Sequence, residues 1–385
     1  MSKRFILLIA CLVAATSVTA GTVSASPRLM IGIYDEAQTL YGNPDRTFPT
    51  LRSLRTEVLR VGLYWGGKFG VAKRRPTNAT NPDDRAYNWA IYDRTVNYAA
   101  QYGMRIVFSI WGTPTWANGG KGLNYAPRSA LDLQRFATAA ARRYSGTWTA
   151  EDGRALPAVR MWLAWNEPNN PAFLLPQYRR VGGKPVIQSA VDYAKICNAV
   201  TRGVKATFLR GEQVACGVTA PRGNNSPNTE RPSVAPLPFL RAMKRAGAKG
   251  FDVYAHHPYY LDSSETPTTV PKGTASITLA NIDVLLREIT RLYGNKKLWI
   301  TEYGYQTNPP DRTKFGVSWA NQARYLGQAF AIARKNPRID MMLWFQLRDE
   351  PRAEGWQSGF LTFVGRRKPS FTAFQRLRHS SGVSR

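Results

Sequence analysis

Two glutamates stand in settings that suit proton transfer and nucleophilic attack. Glu167 lies in Trp165-Asn166-Glu167-Pro168-Asn169, and Glu302 in Trp299-Ile300-Thr301-Glu302-Tyr303-Gly304-Tyr305. Each follows a short apolar run, Val159–Trp165 in one case and Leu298–Thr301 in the other, of the kind that reads as a buried strand. Two carboxyl groups brought face to face are what cleavage of a glycosidic bond requires. A glutamate after a strand also suits a helix cap or an ion pair. The surroundings of Glu167 weigh toward chemistry: Trp162 and Trp165 precede it, and Pro168 stops the strand from continuing. Asn166 beside it is a candidate hydrogen-bond partner for a sugar hydroxyl next to the scissile bond.

The strands that carry these residues must converge for the two carboxyls to meet. Eight strand-like runs can be picked out: Leu29–Tyr34, Val58–Trp65, Arg105–Trp111, Val159–Trp165, Val214–Ala220, Phe251–His256, Leu298–Glu302 and Asp340–Gln346. Helical patterns separate them at Trp89–Tyr102, Leu131–Tyr144, Ser189–Phe208, Pro238–Ala246, Ile277–Tyr293 and Ser318–Lys335. Strand and helix alternating eight times predict an α/β fold, a (β/α)₈ TIM barrel of one domain spanning residues 27–385. No glycine-rich phosphate loop follows the first strand, which disfavours an open doubly wound sheet. Long Pro/Gly/Asn-rich segments follow the second, third, fifth and sixth strands, where they would wall an open cleft at the barrel's C-terminal mouth.

Further residues are expected at that mouth. His256-His257-Pro258-Tyr259 ends the sixth strand, and adjacent histidines on a strand face opposite ways, so the pair cannot chelate one metal. Aromatic side chains cluster at strand ends, among them Tyr64, Trp111, Trp116, Trp344 and Phe345. Most aromatics in a barrel pack the core, but indoles at strand ends also offer flat faces for pyranose rings.

The segments around Glu167 and Glu302 resemble those of the clan A glycoside hydrolases, and the resemblance runs over nearly the whole chain after residue 26. It implies that Glu167, at the end of strand 4, is the general acid/base, and that Glu302, at the end of strand 7, is the nucleophile. It places Arg60 beside the nucleophile; this arginine interrupts an apolar strand, and a buried arginine needs an anionic partner such as Glu302. His257 and Tyr259 match a His-x-Tyr pattern that sets the tyrosine hydroxyl near the nucleophile, and Trp344 matches a tryptophan that floors the sugar site. Some family 5 enzymes carry a histidine on strand 3; here Thr113-Pro114-Thr115-Trp116 is closer to family 39. The implied activity is retaining hydrolysis of a neutral or acidic β-linked poly- or oligosaccharide, without metal or organic cofactor. A barrel that binds polysaccharide without cleaving it, and a transglycosylase using the same glutamates, are the alternatives.

The formal net charge of +28 raises the question of nucleic acid. Its basic residues are scattered, in clusters no longer than Lys73-Arg74-Arg75, and no nucleic-acid-binding motif accompanies them, so a solvated basic surface is expected. Residues 1–26 read as a secretory signal, with Ser2-Lys3-Arg4 before an apolar stretch and small-residue cleavage sites. Leu8-Ile9-Ala10-Cys11 resembles a lipoprotein box, but the apolar run continues past Cys11, which favours ordinary secretion. No run is long enough for a membrane span. Cys197 and Cys216 remain after cleavage, an even pair in an exported chain that predicts one disulfide.

Overall fold

Each of the eight apolar runs forms a strand: β1 Met30–Tyr34, β2 Val58–Tyr64, β3 Arg105–Trp111, β4 Met161–Ala164, β5 Gln213–Thr219, β6 Val253–His256, β7 Leu298–Tyr303 and β8 Ile339–Phe345. The computed structural model describes residues 29–149, 153–311 and 313–377; the export-signal reading of residues 1–26, Cys11 included, lies outside the described residues. Every barrel strand pairs in parallel with its neighbours in chain order, and β8 returns to β1 to close a barrel.

Two cores follow from strand alternation. Leu59, Val61 and Leu63 of β2 and Ile106, Phe108 and Ile110 of β3 point outward into the layer beneath the helices. Val58 and Val107, with Met161, Leu163, Trp299 and Leu343, form a separate cluster inside the barrel. Side chains two residues further along a strand share its face, so Arg60 and Ser109 also point into the barrel, toward its C-terminal end. The interior is therefore packed below and polar above, as expected where barrel strands carry a site on their C-terminal ends.

The expected helices are present at Ala90–Gln101, Ala130–Arg143, Gln188–Lys205, Pro236–Arg245, Ile282–Tyr293 and Trp319–Lys335. The fourth of these begins at Pro236, two residues before the expected Pro238, because Pro236 itself occupies the first turn. Two helices between β1 and β2, Glu36–Thr39 and Pro44–Ser53, went unrecognised; Pro49 inside the second reads as a breaker. After β4 the chain forms an antiparallel hairpin, Tyr178–Val181 against Lys184–Ile187, turning at Gly182 and Gly183. Among the described residues, no helix is long and apolar enough to cross a membrane.

The disulfide joins Cys197 on helix Gln188–Lys205 to Cys216 on β5, with the Cα atoms 5.8 Å apart. It ties a barrel helix to the strand it covers. Replacing both cysteines with alanine is expected to lower the unfolding free energy by about 3 kcal/mol, the loop-closure value for a sequence separation of 19. An unchanged denaturation midpoint would show that the bridge contributes nothing.

Candidate active site

The centre of the barrel mouth is a buried arginine. Arg60, 1% exposed, donates from Nη1 to Glu302 Oε1 at 2.6 Å and from Nη2 to Asn166 Oδ1 at 2.6 Å. Ser109 Oγ and the Thr301 carbonyl lie at 3.3 and 3.4 Å from its nitrogens, and its guanidinium stands 4.3 Å above the Tyr34 ring. Tyr259 donates to the other oxygen of Glu302 at 3.1 Å. Glu302 thus meets a guanidinium with one oxygen and a phenol hydroxyl with the other, so both oxygens are held in place.

Glu167 sits in different company. Its Oε1 lies 2.9 Å from His257 Nδ1, and its Oε2 accepts from Asn170 Nδ2 at 3.0 Å. Burial raises its pKa, and the hydrogen bond from Asn170 and the charges of Arg60 and Arg222 offset only part of that rise. Desolvation, not a neighbouring carboxylate, is the cause of the rise. One oxygen of each carboxyl and a ring nitrogen of His257 lie within 4.8 Å of one another. These three would also suit a cation, but Arg60 already supplies the positive charge there.

The tautomer of His257 follows from its neighbours. Its Nε2 lies 3.2 Å from Arg60 Nη1 and 3.0 Å from Thr301 Oγ1. Arginine can only donate, so Nε2 accepts and Nδ1–H points to Glu167. His256 faces the opposite way, as strand alternation requires. Its Nε2 donates to the Ile277 carbonyl at 3.0 Å and its Nδ1 accepts from Thr219 at 2.8 Å. Burial pushes both imidazoles down to about 3.

A cleft of about 690 Å³ opens above these groups, lined by Asn166, Glu167, Glu302 and Tyr259 together with the aromatics Tyr34, Tyr64, Trp111, Phe173, Phe345 and Trp356. Asn166 uses its oxygen on Arg60, which leaves its amide nitrogen as a donor to the cleft. Tyr34 and Tyr64 both donate to Glu36, at 3.0 and 2.6 Å. Gly62 makes room for this carboxylate, since a Cβ there would lie 2.0 Å from Glu36 Oε1.

Two expected substrate contacts, Trp344 and Trp116, are placed elsewhere. Trp344 is fully buried; its indole donates to the Ser358 carbonyl at 2.8 Å and stacks on Phe360, so Phe345, one residue on, lines the cleft instead. Trp116 belongs to a separate pocket, where Arg75 covers its ring at 4.6 Å. Arg60 and His257 lie beneath the glutamates and position them without lining the cleft. Ser109, Thr301 and Asn170 were not singled out from sequence; only Asn170, three residues after Glu167, stood close enough in the chain to be found. Glu36, Phe173 and Trp356 come from loops and short helices whose path the strand pattern did not reveal.

An eight-stranded parallel barrel with two buried carboxyls converging at its C-terminal mouth is a (β/α)₈ barrel with a candidate site where such barrels carry theirs. No family model matches the chain, and no curated protein matches it in sequence. Solved structures share its fold. A family 39 glycoside hydrolase from the gut symbiont Bacteroides cellulosilyticus WH2 is 17% identical with a TM-score of 0.61, over 91% of this chain and 63% of that one. A glucosidase from Croceicoccus marinus is 15% identical with a TM-score of 0.65, over 91% of this chain and 67% of that one. Two fungal β-1,4-galactanases are represented by a structure 14% identical, with a TM-score of 0.56, over 90% of this chain and 99% of that one. At such identities the likeness is one of fold. The chain spans less than two thirds of the family 39 enzyme's length.

Two measurements test this geometry. Across roughly pH 4 to 8, ring ¹⁵N shifts should report both histidines neutral, His257 as the Nδ1–H and His256 as the Nε2–H tautomer. Titration of His257 near its ordinary value, or an Nε2–H signal from it, would break the proposed chain of donors. Trp344→Ala is expected to cost about 3–5 kcal/mol of stability in chemical denaturation, as for a buried tryptophan in a packed core. Loss of activity at full stability would return Trp344 to the sugar site.

Proposed function

We propose that the chain is a retaining glycoside hydrolase that cleaves a β-linked poly- or oligosaccharide. The observation that carries this reading is the different environment of two carboxyls in one cleft. Glu302, oriented by Arg60 and Tyr259, attacks the anomeric carbon. Glu167, whose protonated form burial favours, gives its proton to the leaving oxygen and then deprotonates the water that releases the sugar. His257 donates to one oxygen of Glu167, so the proton to be transferred sits on the other. Carboxyl oxygens within 4.8 Å support the spacing of direct attack, about 5–5.5 Å between the groups, over the roughly 6.5–9.5 Å that admits a water. The aromatic walls and the amide of Asn166 fit a pyranose ring and its hydroxyl. The cleft is open, which supports action on a chain of sugars. A disulfide persists in oxidising surroundings, which supports export.

Glu302→Ala is expected to abolish hydrolysis. Glu167→Ala should lose about 10²–10⁴-fold on poor leaving groups and far less on activated aryl glycosides, which need little protonation. Azide should restore part of the Glu167→Ala rate and give a glycosyl azide of retained configuration. An inverted first product, seen by NMR, would show the roles to be misassigned. The pH profile carries a sign. Glu167 acts protonated, so kcat/KM should fall as pH rises through a pKa above the ordinary 4.5, and this alkaline limb should vanish in Glu167→Ala. A limb that survives the substitution belongs to another group.

A further inference from the structure

Around the cleft, the charge is distributed by sides. On the side of Glu302 the other lining groups are Tyr34, Phe345, Trp356 and Tyr259, and the Arg60 charge beneath is matched by Glu302 itself. On the side of Glu167, the segment after β5 contributes Arg222 and Arg231 to the cleft lining. Neither arginine has a carboxylate within ion-pair distance or a side-chain hydrogen bond among the described residues; Arg222 stands over the Phe315 ring at 5.4 Å. Elsewhere Arg60, Arg143 and Arg241 are matched with Glu302, Asp93 and Glu288. The charge of Arg222 nevertheless reaches Glu167.

Basic character continues outward from there. Arg180 of the hairpin donates to Asn228 of the same segment at 3.2 Å, which sets the hairpin against this wall. The hairpin adds Arg179 and Lys184 and contains no acidic residue, and the segment 221–235 contains one, Glu230, unpaired with either arginine. The charge of Glu265 also reaches Arg222, but the basic groups outnumber it, and a mainly positive wall beside an acid catalyst is a place for a ligand of the opposite sign.

Glu167 protonates the leaving oxygen in the proposed reaction, so the sugar on its side is the leaving-group sugar. We propose that this side of the cleft binds an anionic sugar, with Arg222 and Arg231 taking the carboxylate of a uronic acid. The inference rests on the glycosidase reading and narrows it to chains that carry negative charge beyond the cleaved bond. Arginine presents paired donors to a carboxylate, and a desolvated cleft wall strengthens such contacts over those at an open surface.

The test measures binding and turnover separately. The Glu302→Gln chain, with Arg222 and Arg231 intact or both changed to glutamine, is titrated calorimetrically with a panel of β-linked glucuronate-containing oligosaccharides. The same oligosaccharides with their carboxyls reduced to alcohols, and sulfated neutral ones, form the other arms. At least one acidic member should bind about tenfold or more tightly than its reduced form, as one charge-assisted pair predicts. That advantage should shrink with added salt and disappear without the two arginines. Equal binding of acidic and reduced forms, or no binding of any acidic member, overturns the proposal. So does a preference that survives loss of both arginines, which would trace to the overall charge of the chain. Tighter binding of the sulfated arm reassigns the wall to sulfate esters and overturns the carboxylate. Hydrolysis of aryl glycosides by the unaltered chain is scored independently: its absence sinks the glycosidase reading, whereas activity without anionic preference sinks only this inference.

Discussion

A guanidinium buried inside a barrel is tolerated only if its charge and its donors are met, and meeting those of Arg60 organises the whole mouth. From β2 it reaches Glu302 and the Thr301 carbonyl on β7, Asn166 past the end of β4, His257 past the end of β6, Ser109 on β3 and the Tyr34 ring on β1. One side chain thereby fixes groups from five other strands. Removing one member of a buried ion pair generally costs about 3–5 kcal/mol, because the partner charge is left without compensation. The glutamate and the arginine are therefore each a condition for the other's burial. A lysine would keep the charge but lose the fork that serves Glu302 and Asn166 at once.

The same arginine sets the two carboxyls apart. Glu302 bonds to it directly, whereas Glu167 meets it only through His257, whose Nε2 faces Arg60 and whose Nδ1 faces the glutamate. A charged imidazole in that place would carry protons on both nitrogens and put one against the guanidinium. Burial keeps the ring neutral and prevents this. The ring then passes on orientation to Glu167 without passing on charge. An ion pair with one cation for one carboxyl, and desolvation beside a neutral donor for the other, give two groups of the same chemistry different surroundings.

Much of this was legible in the chain. Glu167, Glu302 and Arg60 stand out because each interrupts or ends an apolar strand, and an ionisable group there must have a partner or a task. Cys197 and Cys216 were legible as a pair. Trp344 was not: Met341 and Leu343 face the barrel interior and Met342 the layer beneath the helices, so alternation along β8 puts Phe345 on the cleft side and Trp344 outward, and it was the family resemblance that favoured Trp344. Trp116 failed differently, since it lies beyond its strand on the one-turn helix Thr115–Asn118, too short for any periodicity to reveal. Ser109 and Thr301 are ordinary strand hydroxyls in sequence, and only the position of Arg60 and His257 gives them work.

The end of β4 shows how the backbone serves the site. Asn166 and Glu167 are neighbours, and in an extended strand their side chains would point to opposite faces. Here both line the cleft. Trp165 and Glu167, on either side of Asn166, adopt left-handed φ values of 74° and 34°, which breaks the alternation. Such conformations cost of order 1–3 kcal/mol each outside glycine and persist only where the surroundings hold them. They are held: the Trp165 amide donates to Ile110, the Glu167 amide to Val218, and the Trp165 indole to Phe173, while Ser109 donates to the Trp165 carbonyl. Ser109 also lies within reach of Arg60, so the hydroxyl that secures the bend is tied to the charge at the centre of the mouth. The chain thus stores backbone strain at the one corner where two adjacent side chains must face the same ligand, and the polar network around Arg60 keeps it there.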